Sequence, residues 1–282
     1  QIHCASCQEV VDSVLMAYRL AEHAAVRLPV IVNIDGFQLS FTREPVDLPG
    51  AHGAAAFVGS FEPGALKFRA STPISQAVAV LGGSAYSYFR YEMQRAAEAA
   101  LGAHAPIARE FAERFGRRYG AVEAYRMDDA EFAFLMIGSF ATKARDAVDR
   151  LRRQGWRIGL VRPRLVRPFP AARIASLLWK TKAVAVIDQN ISLGAGGILA
   201  GETASALYNA STRPLIASYI GGLGGRDIGP GEFDAMADEL RAAAARGEAP
   251  KPRLLFTADE LREVRKMQAV AAVERHELEA AP

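Results

Sequence analysis

Two cysteines near the start of the sequence have the spacing of a redox or metal-binding motif. Cys4 and Cys7 form a C-x-x-C pair directly after His3, and they are the only cysteines among the 282 residues. Such a pair at the beginning of a helix can lower the pKa of a thiol, which would suit a redox dithiol. A zinc site would need further ligands, and the other histidines lie at no recognised metal spacing. Ser6 and Glu9 form an S-x-x-E capping box that accounts for the local structure, so we expect an incidental pair.

A dense polar loop follows the first predicted strand. The segment LPVIVNID (28–35) is apolar and rich in β-branched residues, as expected of a buried parallel strand, and it ends at the turn Asp35-Gly36. Binding residues concentrate on loops of this kind, so a ligand site and a purely structural turn are about equally supported. The candidate cofactor-binding residues of this loop are Asp35, Gly36, Ser40 and Arg43.

Two glycine-rich loops follow later strands. SLGAGGILAGE (192–202) opens a helix, whose free N–H groups attract anions, but it departs from G-x-G-x-x-G, and tight helix–strand packing is favoured. IGGLGGRDIGPGEF (220–233) carries an Arg-Asp pair at a strand end, where ligands of parallel sheets bind; the alternative is an ion pair that fixes the loop. The candidates for an anion contact or an interface are Asn190, Gly194, Gly196, Gly197, Arg226 and Asp227.

Other classes of function lack support in the sequence. There is no H-E-x-x-H and no G-x-S-x-G, so nucleophilic hydrolysis has no candidate site. The net charge of +3 is too small to indicate a nucleic-acid or membrane partner, and the scattered arginines, as in RPRLVRP, are expected on solvated faces. No apolar run reaches the ~18–20 residues that span a bilayer, and no signal peptide is visible. Two cysteines favour a reducing, cytoplasmic compartment.

The elements that would position these residues alternate in an α/β pattern. The pattern predicts a helix over 8–22, an irregular linker over 45–83 and a long helix over 86–116. It then predicts strands over 130–139, 156–165, 182–190 and 214–222, alternating with helices over 141–155, 170–179, 196–209 and 231–246. Such alternation implies right-handed crossovers and a parallel sheet covered on both faces. A last helix over 257–279 either docks on the body of the protein or forms a loosely attached tail, and its apolar stripe favours docking.

Several segments occur together in one order: LPVIVNIDGFQLSFTREPV, YFRYEMQRA, AVAVIDQNISLGAGGILAGE and YIGGLGGRDI. With them the chain, to about residue 246, resembles the α subunit of the 2-oxoacid:ferredoxin oxidoreductases, typified by pyruvate:ferredoxin oxidoreductase. The resemblance implies the C-terminal part of a thiamine diphosphate pyrimidine-binding domain over 1–70 and a linker with a long helix over 71–118. It further implies a transketolase C-terminal-like parallel-sheet domain over 119–246, and a helical tail remains over 247–282.

The resemblance also implies an activity and its cofactors. The family decarboxylates a 2-oxoacid, usually pyruvate, on thiamine diphosphate, passes electrons through [4Fe-4S] clusters to ferredoxin and transfers the acyl group to CoA. It implies that thiamine diphosphate with Mg²⁺ sits on a β partner and the clusters on other subunits, such as γ and a ferredoxin-like δ, with none of these bound by this chain alone. The chain has two cysteines, whereas a [4Fe-4S] cluster needs four, which agrees with clusters bound by other domains or subunits.

The sequence departs from the family pattern in two respects. It begins with Gln and enters a helix almost at once, so we expect a piece of a longer polypeptide that lacks the first part of the pyrimidine-binding domain, with its catalytic glutamate. Phe41 stands where relatives often have His after the serine of the D-G-F loop. Two alternatives stay open: a non-catalytic assembly subunit on the same fold, and a free-standing nucleotide-binding domain.

Overall fold

A computed structural model describes the backbone of residues 1–64, 69–74 and 83–280, and side chains in these ranges up to residue 276. Part of the predicted linker, residues 65–68 and 75–82, lies outside the described residues. Among the described helices, none is both long enough and apolar enough to cross a bilayer. The division of the chain into 1–70, 71–118, 119–246 and 247–282 stays a prediction.

The first module of the fold contains a small parallel sheet and three helices. Its elements are β1 (Ile2–His3), α1 (Cys7–Glu22), β2 (Val32–Asn33), α2 (Ala51–Val58) and α3 (Gly83–Phe115). β1 and β2 pair in parallel, with Ile2 opposite Val32. The strand predicted over 28–35 is therefore only two residues long, because its partner β1 offers a ladder of two residues.

The start of α1 follows the predicted cap in part. The Ser6 hydroxyl accepts a hydrogen bond from the Glu9 backbone N–H at 3.2 Å, as an N-cap residue should. The Glu9 carboxylate accepts from the Ala5 N–H at 3.2 Å instead of reaching back to Ser6. Glu9 is thereby turned towards the second module, with which it forms buried ion pairs.

The expectation of an unbroken irregular linker over 45–83 is wrong, because it contains α2. The segment AHGAAAFV is rich in alanine, the residue of highest helix propensity. Its Phe57 is fully buried, with its ring centroid 5.2 Å from that of Phe111 and 5.8 Å from that of Phe115 on α3. Tertiary packing on α3 therefore supports a helix too short to be stable by itself.

The second module is built on a six-stranded sheet. Its strands are β3 (Val122–Tyr125), β4 (Phe132–Leu135), β5 (Ile158–Pro163), β6 (Ala183–Asp188), β7 (Leu215–Ile220) and β8 (Arg253–Leu254), in the order β3-β5-β4-β6-β7-β8. The strands β4 to β8 are parallel, and β3 pairs antiparallel with β5. The helices are α4 (Phe140–Arg153), α5 (Ala171–Leu178), α6 (Ile198–Leu207), α7 (Pro230–Arg246) and α8 (Ala258–Ala280).

Helices cover both faces of this sheet, as predicted. All four residues of β4 are buried, and successive side chains point to opposite faces. Phe134 belongs to one apolar layer with Phe140 of α4 and Phe233 of α7, whereas Leu135 belongs to the other, with Ile174 of α5. The α/β class with a mostly parallel sheet is confirmed. The sequence prediction missed β3 and β8, which are the two edge strands.

The prediction that the last helix docks through its apolar stripe is wrong. Leu261, Val264, Met267 and Val270 are 40%, 38%, 62% and 59% exposed. Helices α4 to α7 already cover the two faces of the sheet, so α8 does not pack on either of them. Its first turn is anchored: Thr257 and Glu260 form the predicted capping box, and Glu260 pairs with Arg226.

Buried ion pairs join the two modules. Arg162 and Arg164 are each 3% exposed, which corrects the expectation that they lie on a solvated face, whereas Arg167 of the same segment is exposed as expected. Both guanidinium groups bind the carboxylates of Glu9 and Glu123, with 3.0 Å between Arg162 Nη2 and Glu9 Oε2. Arg162 on β5 and Arg164 just after it point inwards, where Glu9 of the first module neutralises them. The backbone adds a bond from the His3 N–H to the Arg164 carbonyl at 2.8 Å.

Candidate functional site

The polar loop of the first module meets the second module where several parallel strands end. Asp35 follows β2, Ser139 follows β4, and Gln189 follows β6. Ligands of parallel sheets bind outside the carboxyl ends of the strands. The candidate functional site is therefore this carboxyl edge, formed by loop 35–44 together with the turns after β4, β6 and β7.

One carboxylate connects the two modules at this edge. Oδ2 of Asp35 accepts a hydrogen bond from the Ser139 backbone N–H at 2.5 Å and another from the Ser139 hydroxyl at 2.6 Å. Ser139 is the N-cap residue of α4, so the negative charge of Asp35 lies at the positive end of that helix dipole. Asp35 was predicted to contact a cofactor, and the structure places its carboxylate on Ser139.

Glycines in two of these turns leave room for the neighbouring side chains. Gly138 has φ +71°, and a Cβ there would lie 2.6 Å from Oδ2 of Asp35 and 2.9 Å from Oε1 of Gln189. Gly222, after β7, has φ +78°, and its Cβ would lie 3.2 Å from the Phe140 ring and 3.3 Å from Cγ of Gln189. Sequence reasoning missed Gly138, Ser139 and Gln189. The available signal was that each lies at the carboxyl end of a predicted strand, over 130–139 or 182–190.

His3 and Asn33 extend the polar edge along the small sheet. They lie opposite each other on β1 and β2, with 3.3 Å between His3 Nε2 and Asn33 Nδ2. Burial lowers the pKa of His3, although the nearby charge of Asp35 opposes the shift. A neutral imidazole therefore accepts the amide hydrogen of Asn33.

Most of the remainder of loop 35–44 is exposed and internally bonded, whereas Leu39 is buried against Ile2 and Leu165. The Ser40 hydroxyl accepts from the Phe37 N–H at 2.9 Å, and Phe37 has φ +67°, a left-handed conformation that costs energy for an aromatic residue. The rings of Phe37 and Phe41 are 64% and 78% exposed, with centroids 5.7 Å apart. Of the other predicted cofactor contacts, Gly36 and Arg43 are exposed.

The two cysteines beside this loop are poorly suited to redox chemistry. Cys4 is 1% exposed, and burial raises the pKa of its thiol to about 11. Burial, with the Glu44 carboxylate nearby, also raises the pKa of Cys7. Reactive dithiols need the opposite shift, towards the thiolate. Cys7 instead has a structural contact, because its N–H donates to Glu44 Oε2 at 3.1 Å.

The glycine-rich loop after β6 is arranged around a buried carboxylate. Asp188 is fully buried and accepts from the backbone N–H groups of Leu199 at 2.8 Å and Ala200 at 3.1 Å, at the start of α6. Its burial raises the pKa of this carboxyl. The helix terminus that we considered for an external anion is thus occupied by the protein's own carboxylate.

The predicted residues of that loop support the same arrangement. Asn190 donates to Asp188 Oδ1 at 3.2 Å, and its own Oδ1 accepts from the Ile198 N–H at 3.2 Å. A Cβ on Gly197 would clash with the Asp188 side chain. Gly194 and Gly196 have φ +85° and +88° in a turn closed by hydrogen bonds between Ser192 and Gly196. These features are those of helix–strand packing.

Arg226 and Asp227 pair with other partners and not with each other's side chains. Arg226 makes two hydrogen bonds of 2.6 Å to the Glu260 carboxylate and lies 2.9 Å from Glu232. Asp227 forms an ion pair with Lys143 of α4. The structure therefore places Arg226 as the anchor of α8, and its predicted role towards an external anion stays a prediction.

In the described ranges, no group of three or more His, Cys, Asp or Glu side chains is placed to hold a metal ion. The groups at the carboxyl edge that could face a ligand are the exposed Arg43, the Ser40 hydroxyl and the Gln189 amide. They can donate hydrogen bonds to an anionic or carbonyl-bearing molecule. The edge is thus chemically suited to one wall of a polar site.

Comparison with known proteins identifies the family of both modules. Residues 1–111 match the thiamine diphosphate-binding family of the pyruvate flavodoxin/ferredoxin oxidoreductases. Residues 130–233 match the family described as pyruvate:ferredoxin oxidoreductase core domain II. The two matches lie in the first and the second module, respectively.

Curated relatives agree with these matches. The pyruvate synthase subunit PorA of Pyrococcus abyssi is 36% identical over 252 residues, which cover 89% of this chain and 64% of that protein. PorA of Thermotoga maritima is 39% identical over 82% of this chain and 58% of that protein. The ketoisovalerate oxidoreductase subunit VorA of Pyrococcus abyssi is 37% identical over 88% of this chain and 62% of that protein.

Among solved structures, the 2-oxoglutarate:ferredoxin oxidoreductase of Magnetococcus marinus aligns with a TM-score of 0.41 at 18% identity, covering 57% of this chain and 24% of that one. That likeness is too slight to support an argument. The chain spans less than two thirds of the length of the curated relatives, namely 64% of the P. abyssi PorA. By its two family matches and its identity to these subunits, the chain belongs to the pyruvate:ferredoxin oxidoreductase family.

Proposed function

We propose that this chain is the α subunit, or the corresponding part, of a thiamine diphosphate-dependent 2-oxoacid:ferredoxin oxidoreductase in the cytoplasm. The complex would convert a 2-oxoacid and CoA into acyl-CoA and CO₂. The two electrons released would pass singly to ferredoxin. The observation that carries this proposal is that both modules match the family, one after the other along the chain.

The site geometry supports a role for the chain beside the reacting molecules. Loop 35–44 lies at the carboxyl ends of the strands, where parallel sheets bind ligands. The Asp35–Ser139 contact holds this loop between the two modules. The exposed Arg43 is the cation of the loop that would contact the substrate carboxylate or an anionic group of the cofactor.

Thiamine diphosphate, when bound, supplies the electron sink for decarboxylation. The described residues fit only part of its site. Ser40 and Arg43 can bind and orient polar groups, and the exposed rings of Phe37 and Phe41 can exclude water from one side. The carboxylates of Asp35 and Glu44 are engaged by Ser139 and by the Cys7 N–H. We propose that the diphosphate and its Mg²⁺ are held mainly by a β-type partner.

Iron–sulfur clusters do not fit the cysteines of this chain. A [4Fe-4S] cluster takes four thiolates, whereas the chain has two cysteines, one of which is 1% exposed with its pKa raised to about 11. We propose that the clusters and the CoA site belong to other subunits or domains, including γ-type and ferredoxin-like δ-type partners. Ferredoxin would then dock on those partners.

Pyruvate is the substrate that we propose. Relatives named for pyruvate and for ketoisovalerate are 36% and 37% identical to this chain, so overall identity does not separate the two substrates. The distinction would depend on the side chains around the 2-oxoacid. Steady-state assays with pyruvate, ketoisovalerate and 2-oxoglutarate in competition would decide the preference, and a higher kcat/KM for either of the latter would contradict this assignment.

Reconstitution tests the proposed function. The chain is purified alone and after co-expression with its β-, γ- and δ-type partners, and 2-oxoacid-dependent viologen reduction is measured with thiamine diphosphate, Mg²⁺ and CoA. We expect activity only in the complex. Activity of the isolated chain, or a purified complex that reduces no viologen with any of the three 2-oxoacids, would contradict the proposal.

A charge variant separates a catalytic subunit from an assembly subunit. In the complex, Arg43→Ala is expected to raise the KM for the 2-oxoacid or the cofactor at least tenfold, since it removes the exposed cation of the loop. The matched control is Arg153→Ala, at the exposed C-terminus of α4, which should leave both constants within twofold. Full activity of Arg43→Ala, and also of Asp35→Ala and Ser40→Ala, would show that the chain serves assembly only.

A further inference from the structure

We propose that Asp35 is a positioning residue, which holds loop 36–43 against the second module through Ser139, and not a ligand of the cofactor. The observation is the pair of hydrogen bonds, 2.5 Å and 2.6 Å, that a single oxygen of Asp35 accepts from the Ser139 N–H and hydroxyl. The consequence for catalysis rests on the proposed function, whereas the positioning itself does not.

The electrostatics of the contact favour a positioning role for Asp35 over a role as a ligand of the cofactor. Hydrogen bonds to an ionised carboxylate are about twice as strong as neutral ones. Ser139 is the N-cap of α4, a helix of 14 residues, so the carboxylate of the first module also meets the positive end of a dipole in the second. Releasing Asp35 to bind a ligand would give up all three of these favourable interactions.

Loop 36–43, which follows Asp35, needs such a contact to keep its conformation. Phe37 adopts φ +67°, and a bulky residue persists in the left-handed region only where the surroundings impose that conformation. The loop is fixed at one end by Asp35 and at the other by Glu44, which accepts from the Cys7 N–H. Between these two anchors it presents the exposed rings of Phe37 and Phe41.

A substitution at Gly138 tests the Asp35–Ser139 contact sterically, without removing a hydrogen-bonding group. A Cβ at this position would lie 2.6 Å from Oδ2 and 2.7 Å from Oδ1 of Asp35, so an alanine must displace the carboxylate. Gly155 provides a matched control, because it also has a positive φ, +89°, but a Cβ there meets nothing within 4 Å. The pair separates displacement of Asp35 from the cost of backbone strain.

Hydrogen exchange of the full chain, followed by mass spectrometry, measures the positioning directly. In Asp35→Ala and in Gly138→Ala we expect the amides of residues 36–43 to exchange at least tenfold faster, while those of β4 and β6 are unchanged. Asp35→Asn keeps an acceptor oxygen and should restore part of the protection. The controls are Gly155→Ala and Asp146→Asn, the latter an exposed carboxylate on α4, and both should behave as the wild type. Unchanged exchange of 36–43 in both test variants would overturn the proposal.

The reconstituted complex measures the catalytic consequence. Asp35→Ala and Gly138→Ala should lower kcat/KM at least tenfold at an unchanged yield of folded complex, with Asp35→Asn intermediate and Gly155→Ala within twofold of the wild type. Faster exchange with full activity would show that the reaction does not use the positioned loop, which overturns this part of the inference. An inactive wild-type complex would contradict the proposed function, whereas the exchange result would still test the positioning role of Asp35.

Discussion

Glu9 at the start of α1 and Arg162 on β5 are 153 residues apart in the chain, yet they form an ion pair with both side chains almost fully buried. Arg164 joins the same carboxylate, and Glu123 of β3 bridges the two guanidinium groups. The two arginines and two carboxylates thus balance in charge. The cluster connects an element of the first module to the sheet of the second.

Glu9→Gln should destabilise the protein strongly. Removing one charge of a buried cluster leaves two guanidinium groups facing one carboxylate, and breaking a buried ion pair costs about 3–5 kcal/mol. The free energy of unfolding from urea titrations would measure the loss. The control is Glu263→Gln, whose partner Lys266 and whose own side chain are 71% and 65% exposed, and which should change stability by less than about 0.5 kcal/mol. Equal effects of the two variants would contradict the structural role of Glu9.

His104 on α3 should make stability depend on pH. It is 1% exposed, neither ring nitrogen has a hydrogen-bond partner among the described residues, and burial, with the charge of Arg164 nearby, lowers its pKa to about 4. The ordinary value is 6.5. Between these two values the unfolded chain binds a proton that the folded protein does not bind, so stability falls as the pH is lowered from about 6.5 to about 4.

Replacement of His104 isolates this contribution. The folded protein should lose roughly 2–3 kcal/mol between pH 7 and pH 4 through this residue alone, and His104→Leu should remove that share of the pH dependence. The comparison is urea unfolding of both proteins at pH 7, 6, 5 and 4. The exposed His52, replaced by Leu, serves as the control and should leave the slope unchanged. A His104→Leu protein with the slope of the wild type would refute the prediction.

Two glycines of α6 should respond to alanine with opposite signs. Gly197 is the N-cap, where a Cβ would clash with the Asp188 side chain that caps the helix, so Gly197→Ala should cost about 1–3 kcal/mol. Gly201 lies inside the same helix, is exposed and has open space around it, so Gly201→Ala should stabilise by about 0.5–1 kcal/mol. The thermal unfolding midpoint should fall in Gly197→Ala and rise in Gly201→Ala, and shifts of both variants in the same direction would contradict the prediction.

Phe57 should carry much of the stability of α2. Its ring is fully buried against Phe111 and Phe115, so Phe57→Ala should cost about 3–5 kcal/mol. The nearby Phe61 is 51% exposed, and Phe61→Ala is the control, with an expected loss below about 1 kcal/mol. Chemical denaturation would measure both. Similar losses for the two phenylalanines would show that α2 does not depend on this contact.

The helices and parallel strands of the second module could be predicted from the sequence because their signals are local. Segments such as AVAVID are apolar throughout, as strands buried on both faces must be, and the helices between them repeat with a helical period. The edge strands β3 and β8 could not be found in this way. They are short and partly exposed, and they exist because a neighbouring strand offers its free edge.

The loop of the candidate site stood out in the sequence, but its contacts did not. Asp35 was recognised because a turn follows an apolar run, but its partner Ser139 is 104 residues away in the chain. Asn190 and Gly197 were read as possible anion contacts, since glycines before a helix suit a ligand. Only the fold shows that Asp188 fills this helix terminus.

The sequence by itself determined the α/β class, the order of the main elements and the family, because periodicity, turn residues and ordered segments are all properties of the linear chain. The tertiary structure decided which charges are buried and which loop is held. Nothing local distinguishes Arg162 from a solvated arginine, and nothing local links Asp35 to Ser139. Their environment is set by partners more than 100 residues away, which only the folded chain brings within hydrogen-bonding distance.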